Sequence, residues 1–509
     1  MVSLTRAAVL AAATQAVVPT SVQLEVDRVE DALGPRVRCR LELRVDAPVE
    51  SVRFYFPSQY ELRLLRDESD RPIAFRREVD ELIVDGDALP TGAHTWLLRY
   101  RWTLRLPLLD SPGAAALGPW YPAVPVQARG PFEPGFVPHP SRVRVTLPEG
   151  LAAVSTGRLE LEDGGRTFVW TAEQPQPVHP LLIARLAMRE YVAEERELRL
   201  FLPEEHVDRA HALGEYALAA TGFYARTFAP IERADVTLAL VPLGRGHGGM
   251  TFPGLTLVSA SLLEEGFPSR ILAHELGHHW WALGVGFPEL EDGWLREGLP
   301  TYSGLLFLEE REGPGRLREE LLNSHEIATR VADAPPLARG FDVPPEAVYP
   351  QNYHRAASVL HLMRLALGRD AFLALLREFY VSHQGGSASA TAFRDFMERS
   401  ARSRGVDLER LFRDWVERAE LPRFEIAWAV EATPGGHEVR GVVSQRDADV
   451  AVTALLRFSS EHGVTRDLRV QVSGPETPFA AVCAFAPSRL EFDPEADLLH
   501  RGVEITRGR

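Results

Sequence analysis

The sequence predicts a multidomain α+β fold: an antiparallel β domain over residues 21–192, a mixed α/β domain over 193–420 and a β-sandwich over 421–509. Three observations predict it. Period-two alternation fills the first part of the chain and returns after Pro422, the pattern of half-buried strands. Helical periodicity dominates the span between, broken by short apolar runs that read as strands. A chain of 509 residues divides into about three domains of ordinary size.

The elements follow in order. Residues 1–20 are expected to be an export signal or a plain N-terminal extension. Arg6 precedes an apolar stretch over 7–18, broken only by Thr14 and Gln15, but the basic region is thin and no convincing cleavage site follows. That stretch leans the expected localisation toward export, with the cytoplasm as the alternative. Alternation at 22–26, 37–45, 52–56, 96–104, 143–147, 167–171 and 198–202, punctuated by Gly, Pro and Asp, predicts antiparallel strands. Residues 118–138, rich in Pro and Gly, read as an ordered loop. A helix is expected over 206–228, a strand over 236–241, a glycine-rich turn over 244–249 and a strand over 255–258. The turn lacks the Lys-Ser/Thr pair and following helix of a phosphate loop. Its expected task is to bring an edge strand forward, where an extended peptide can add as a further strand. His247 in it reads as a solvent-facing loop residue rather than a ligand.

Pro268-Ser269 then opens a helix with Ser269 as N-cap, carried by Ile271, Leu272 and Leu276 and stopped by Gly284 and Gly286 after Leu283. Pro300 is tolerated only in a first turn, so the next helix is expected to begin near Arg296 or Glu297. Residues 357–367, 370–380, 390–402 and 408–418 carry apolar stripes at helical spacing, which is core packing. Strands return at 424–430, 438–443, 449–456, 466–472 and 480–485.

Composition narrows the function classes. A hydrophobic fraction of 45% and a charged fraction of 25% are ordinary for a globular chain with ample core. The net charge of −15, with no basic cluster long enough to follow a phosphate backbone, argues against nucleic-acid binding. All 56 basic residues are arginine, which reads as coding bias. No apolar stretch approaches the roughly 18 residues that span a bilayer, so no transmembrane segment is expected. Cys39 and Cys483 are the two cysteines; two buried thiols are the reading, a bridge between terminal domains the alternative.

The chemistry is concentrated in His274-Glu275-Leu276-Gly277-His278, followed by Glu297 in Trp294-Leu295-Arg296-Glu297-Gly298. Residues four apart on a helix share a face, so His274 and His278 can point at one ion. Two imidazoles and a carboxylate make the open three-ligand set of a catalytic zinc, with the fourth position left for water. A structural zinc more often closes its tetrahedron with thiolates, and no cysteine lies near. Glu275 projects beside the ion rather than onto it, where a general base belongs. His279 and Asp292 are candidates for orienting the ligands, with packing as the rival role for His279.

The stretch from His274 to Tyr302, HELGHHWWALGVGFPELEDGWLREGLPTY, resembles the gluzincin zinc aminopeptidases, the family of aminopeptidase N and membrane alanyl aminopeptidase. His-Glu-x-x-His, eighteen residues and Glu follow one another without a gap, and Asp292, Trp294, Leu295, Glu297, Gly298 and Tyr302 fall where that family has the same residue types. The likeness continues at lower specificity from about Trp120 to about Pro422. It implies a thermolysin-like catalytic domain, one Zn2+ per chain on His274, His278 and Glu297, Glu275 as catalytic base and a peptide or protein substrate. It implies also a downstream tyrosine that holds the oxyanion. Tyr353, in Tyr353-His354-Arg355-Ala356-Ala357-Ser358-Val359-Leu360, is the match, with Tyr349 as the alternative. The larger members end in a long helical-repeat domain, and none is expected here.

One departure stands out. The family's Gly-Ala-Met-Glu-Asn strand grips the substrate's amino end with its Glu. The corresponding substrate-binding residues here are Gly248, Gly249, Met250 and Thr251, followed by Phe252, and a threonine hydroxyl cannot balance a buried ammonium. Gln127, in a stretch of poor spacing, is the candidate for a second amine anchor. Three readings result: an aminopeptidase with a relocated anchor, first in weight; an endopeptidase or other peptidase without free-amine specificity; and a non-catalytic peptide-binding protein on a peptidase scaffold. The last has no need of Glu275.

Overall fold

The computed structural model describes residues 16–27, 35–102, 114–126, 135–193, 196–231, 235–241, 243, 248–331 and 334–508. Gln127, His247, residues 244–246 of the glycine-rich turn and most of the N-terminal stretch lie outside them. The fold is mixed α/β, as the alternating and helical patterns predict. Two compact units make it up, residues 1–219 with 231–279, and residues 220–230 with 280–509.

In the first unit a seven-stranded sheet runs in the order Arg158–Glu162, Thr167–Gln176, His139–Thr146, Val17–Asp27, Arg36–Val45, Gly92–Trp102, Tyr60–Asp67. The strands expected from alternation in this sheet are present, but Val17–Asp27 and His139–Thr146 pair in parallel, so the sheet is not antiparallel throughout as expected. Period two is visible in the burial: Val37, Cys39, Leu41, Leu43 and Val45 are buried while the residues between are not. A buried aromatic cluster of Phe56, Tyr60, Tyr100, Trp102 and Trp120 backs the sheet, with ring centroids 5.1–6.2 Å apart. The loop after Gly118 is tied in by bridges Tyr55–Ala123 and Pro125–Phe136.

A five-stranded mixed sheet follows: β1 (Ala187–Ala193), β2 (Arg196–Leu202), β3 (Asp235–Val241), β4 (Gly249–Phe252) and β5 (Leu255–Ser259), in the order β1-β2-β3-β5-β4. β2, β3 and β5 are parallel neighbours, and β4 is an antiparallel edge strand on β5. The expected edge strand is therefore there. The helix expected over 206–228 divides into a 3₁₀ turn, Glu204–Arg209, and α1 (Ala210–Thr227).

The helix bearing the histidines, α2 (Ser269–Gly277), is shorter than expected. Ser269 is its first helical residue rather than its cap, and Pro268 stands at the N-cap. His278 keeps helical angles as C-cap, but its N–H is shared between His274 O and Glu275 O, at 3.3 and 3.2 Å, the tightening of a last turn. The chain then folds back: Ala282 takes φ 81°, and the Val285 N–H reaches Trp280 O at 2.9 Å. Glycines 284 and 286 therefore terminate nothing.

The second unit is built on α3 (Gly293–Glu312), α4 (Pro314–Ala328), α5 (Ala356–Leu367), α6 (Arg369–His383) and α7 (Ala390–Arg402). α3 corrects a sequence expectation, since it begins at Gly293 and carries Pro300 in its interior. Interior proline costs about 3 kcal/mol. Trp294, Leu295 and Leu299 are each at most 1% exposed, and burial of such side chains is worth about 1.5–3 kcal/mol apiece, so packing sets the helix start. The segment expected as helix over 408–418 is a short helix, Glu409–Phe412, continued as a π turn.

The C-terminal residues form two sheets, one of four strands and one of three. β6 (Arg423–Thr433) and β9 (Glu476–Cys483) lie in the first, β7 (Val452–Ser459) and β10 (Arg489–Phe492) in the second, with β8 (Thr465–Val472) beside β7. Ring pairs Phe424–Phe492, Trp428–Phe458 and Phe458–Phe479 join the two faces, so the predicted sandwich is present. Cys39 and Cys483 are free and buried. No helix among the described residues is long and apolar enough to cross a membrane.

Candidate metal centre

α2 places His274 and His278 one turn apart with their Nε2 atoms 3.1 Å from each other. Zinc bonds of about 2.0–2.1 Å to nitrogen in a tetrahedron set ligands about 3.3 Å apart, so this separation fits two ligands of one ion. His274, His278 and Glu297 together offer ligand atoms that all lie within 4.8 Å of one another, the group of that kind found among the described residues. The donors suit zinc: two imidazoles, one carboxylate and no thiolate. Glu297 is 8% exposed, and Arg296 Nε lies 3.9 Å from its Oε1.

Glu275 is 7% exposed and turned toward β4. Thr251 Oγ1 lies 2.8 Å from Glu275 Oε2 and 3.0 Å from Glu275 O. Gly249 leaves the room for this approach, since a Cβ there would sit 2.5 Å from Glu275 Cγ and 2.6 Å from Oε1. At Gly248 an added Cβ would meet Ile271 at 3.3 Å, a milder crowding. Met250 lies on β4 opposite Leu257. That Gly249 faces Glu275 is a tertiary contact with no local signal in the sequence.

His279 Nε2 lies 2.9 Å from Thr256 Oγ1 on β5, so this buried ring ties α2 to the sheet. Asp292 is 2% exposed and spans two loops. Its Oδ1 accepts from the Ala390 N–H at 2.6 Å and its Oδ2 from the Glu289 N–H at 3.1 Å. Burial raises its pKa above the usual carboxylate range, against the pull of those two bonds.

Tyr353 sits in a π-helical stretch, Tyr349–Arg355, that leads into α5; such irregular turns recur at functional sites. Gly298, next to Glu297, is the contact point. A Cβ there would fall 2.5 Å from Ala356 Cβ and 3.4 Å from Asn352 O, so glycine lets the stretch that bears Tyr353 lie against α3. Arg355 anchors that stretch, donating to Ala419 O at 2.9 Å and Arg418 O at 2.6 Å, and burial pushes its pKa down to about 10. The Tyr349 ring is 5.1 Å from that of Tyr353, and Tyr349 is 51% exposed while Tyr353 is half-buried. On α3, Tyr302 Oη meets His361 Nδ1 at 2.9 Å, and His361 Nε2 meets Asp497 Oδ1 at 3.1 Å.

Residues 258–415 match the model of the peptidase family M1 domain. Over that stretch the chain is similar to this family. Relatives within the family's reach include "Probable aminopeptidase 1" of Sulfurisphaera tokodaii, 25% identical over 196 residues, 34% of this chain and 23% of that protein. Aminopeptidase O of Homo sapiens is 24% identical over 229 residues, 38% of this chain and 28% of its own length. Aminopeptidase N of Rattus norvegicus is 26% identical over 201 residues, 35% of this chain and 20% of its own. The chain thus aligns with 20–28% of the length of these relatives. A solved structure, Legionella pneumophila aminopeptidase A in complex with aspartic acid, shares the fold with a TM-score of 0.66 at 16% identity, covering 97% of this chain and 60% of that one.

Proposed function

We propose that the protein is a zinc-dependent metallopeptidase of aminopeptidase type. The observation that carries this reading is the convergence of two imidazoles and one carboxylate within 4.8 Å, in a chain similar over residues 258–415 to a peptidase family. His274, His278 and Glu297 would hold one zinc ion, which when bound lowers the pKa of a ligand water to about 7 and polarises a carbonyl. Glu275 takes the proton of the attacking water and passes it to the leaving nitrogen, so one carboxylate serves as base and then as acid. The Tyr353 hydroxyl donates to the oxyanion as the carbonyl carbon becomes tetrahedral. β4, with Gly248, Gly249, Met250 and Thr251, offers an edge on which an extended peptide can add.

A second reading has its own support. Thr251 is engaged with Glu275 and bears no charge, so β4 provides no counter-ion for a substrate's ammonium. A peptidase indifferent to a free amino end follows if no acid elsewhere takes that task. The test is digestion of a mixed peptide library and its N-acetylated copy by the zinc-loaded protein, with cleavage positions mapped by mass spectrometry. Loss of single N-terminal residues from free peptides alone supports the aminopeptidase. Internal cuts in both libraries select the second reading. Glu275→Gln is expected to keep zinc and lower kcat by about 10²–10⁴-fold, the usual share of a positioned base; wild-type turnover would remove Glu275 as the base.

A further inference from the structure

β4 and β5 hold α2 through two threonines. Thr251 and Thr256 are direct cross-strand partners, so their side chains share a face of the sheet. Thr251 Oγ1 meets Glu275 Oε2 at 2.8 Å, and Thr256 Oγ1 meets His279 Nε2 at 2.9 Å. Glu275 lies on α2 and His279 two residues past its end, where the His279 N–H still reaches Leu276 O at 3.3 Å. The strand pair therefore grips the C-terminal end of α2 while His274 and His278, one residue earlier in each case, face each other at 3.1 Å.

We propose that Thr251 is a positioning residue for Glu275 and takes no part in gripping the substrate's amino end. This rests on the reading of Glu275 as general base. The hydroxyl's one proton has two acceptors in reach, Glu275 Oε2 at 2.8 Å and Glu275 O at 3.0 Å, and the nearer, charged carboxylate takes it. The bond fixes the plane of the carboxyl group. Gly249, two residues before Thr251 and on the same face of β4, leaves the room that this group occupies. The small hydroxyl makes β4 a support for the base.

The experiment compares Thr251→Val and Thr251→Ser with wild type and Glu275→Gln. The readouts are kcat and KM on free and N-acetylated peptides, bound zinc, and crystal structures of wild type and Thr251→Val. Loss of a hydrogen bond to a charged group predicts that Thr251→Val lowers kcat on the order of 10–100-fold. KM changes little on either substrate, zinc stays at one per chain, and the Glu275 carboxylate swings off β4 in the crystal. Thr251→Ser restores kcat to within a few-fold. Unchanged kcat in Thr251→Val, an unmoved Glu275, or a rise in KM confined to free peptides would each overturn the proposal. The two readings fail separately. Full activity in Glu275→Gln sinks the general base, whereas the crystal structures judge the Thr251 contact whatever the chemistry proves to be. Should Thr251→Val fold poorly, Thr251→Ser decides: a kcat as low as that of Glu275→Gln would show that hydroxyl donation at this position is not what matters.

Discussion

At the scale of single residues the site depends as much on what is missing as on what is present. Gly249 has no side chain where one would collide with Glu275 Cγ at 2.5 Å. The collision is with the far part of a flexible side chain, which can rotate away at small energetic cost. Gly249→Ala is therefore expected to fold and to expel the carboxylate from its place beside the ligands. Kinetics should show kcat down by about 10² or more, while the thermal midpoint moves by only a few degrees. A large fall in midpoint with kcat retained in the folded fraction would contradict this account. His274 and His278 are legible in the sequence as a candidate ligand pair because residues four apart share a face, whereas the roles of Glu275 and Glu297 come from the motif's resemblance to a known family. The Gly249 and Thr251 contacts are legible in neither way. They join residues 24 or more apart in the chain, and nothing in the local pattern of β4 announces them.

At the scale of elements, α3 is fixed by its packing on the segment of Tyr353. Gly298 is the point of closest approach, with a hypothetical Cβ 2.5 Å from Ala356 Cβ. Neither partner can yield, since both are short side chains on helical backbone. Gly298→Ala should force α3 and α5 apart and cost about 1–3 kcal/mol, the usual penalty for overpacking. Because Glu297 is its neighbour, zinc affinity should fall with stability; urea midpoints and zinc titration check the pair of effects. A stable variant with native zinc affinity would show that α3 tolerates the shift. The same helix explains where sequence reasoning erred. Pro300 marks a boundary under a rule that weighs one lost backbone bond, whereas burial of Trp294, Leu295 and Leu299 outweighs it. α2 ended early for a related reason: the reversal at Ala282 and the Val285–Trp280 bond are tertiary, and the glycines that suggested a later stop play no part. Strands of the β regions were easier, because alternation is preserved wherever one face is buried.

At the scale of the molecule, the C-terminal sandwich is tied into the helices of its unit by buried ionisable groups. Asp497 receives His361 Nε2 at 3.1 Å, and His361 in turn meets Tyr302 on α3 at 2.9 Å. Asp493 organises the loop that presents Asp497, accepting the Asp497 N–H on Oδ1 and the Leu498 N–H on Oδ2, both at 2.9 Å. Burial pushes its pKa up from 3.8 to about 7, the two backbone bonds pull it down, and the charges of Asp497 and Glu495 raise it further. The folded protein then holds a proton between about pH 4 and pH 7 that the unfolded chain has released. The sign is fixed by that difference: this group's contribution is full below the unfolded pKa and is lost as pH rises through the folded one, at up to about 1.4 kcal/mol per unit. Asp493→Asn mimics the protonated acid, and asparagine tolerates the φ of 52° found there. Urea midpoints of wild type relative to the variant should therefore decline from pH 4 to 7. Parallel profiles would mean that the two backbone hydrogen bonds hold Asp493 ionised throughout, and that the link from sandwich to α3 stands without it.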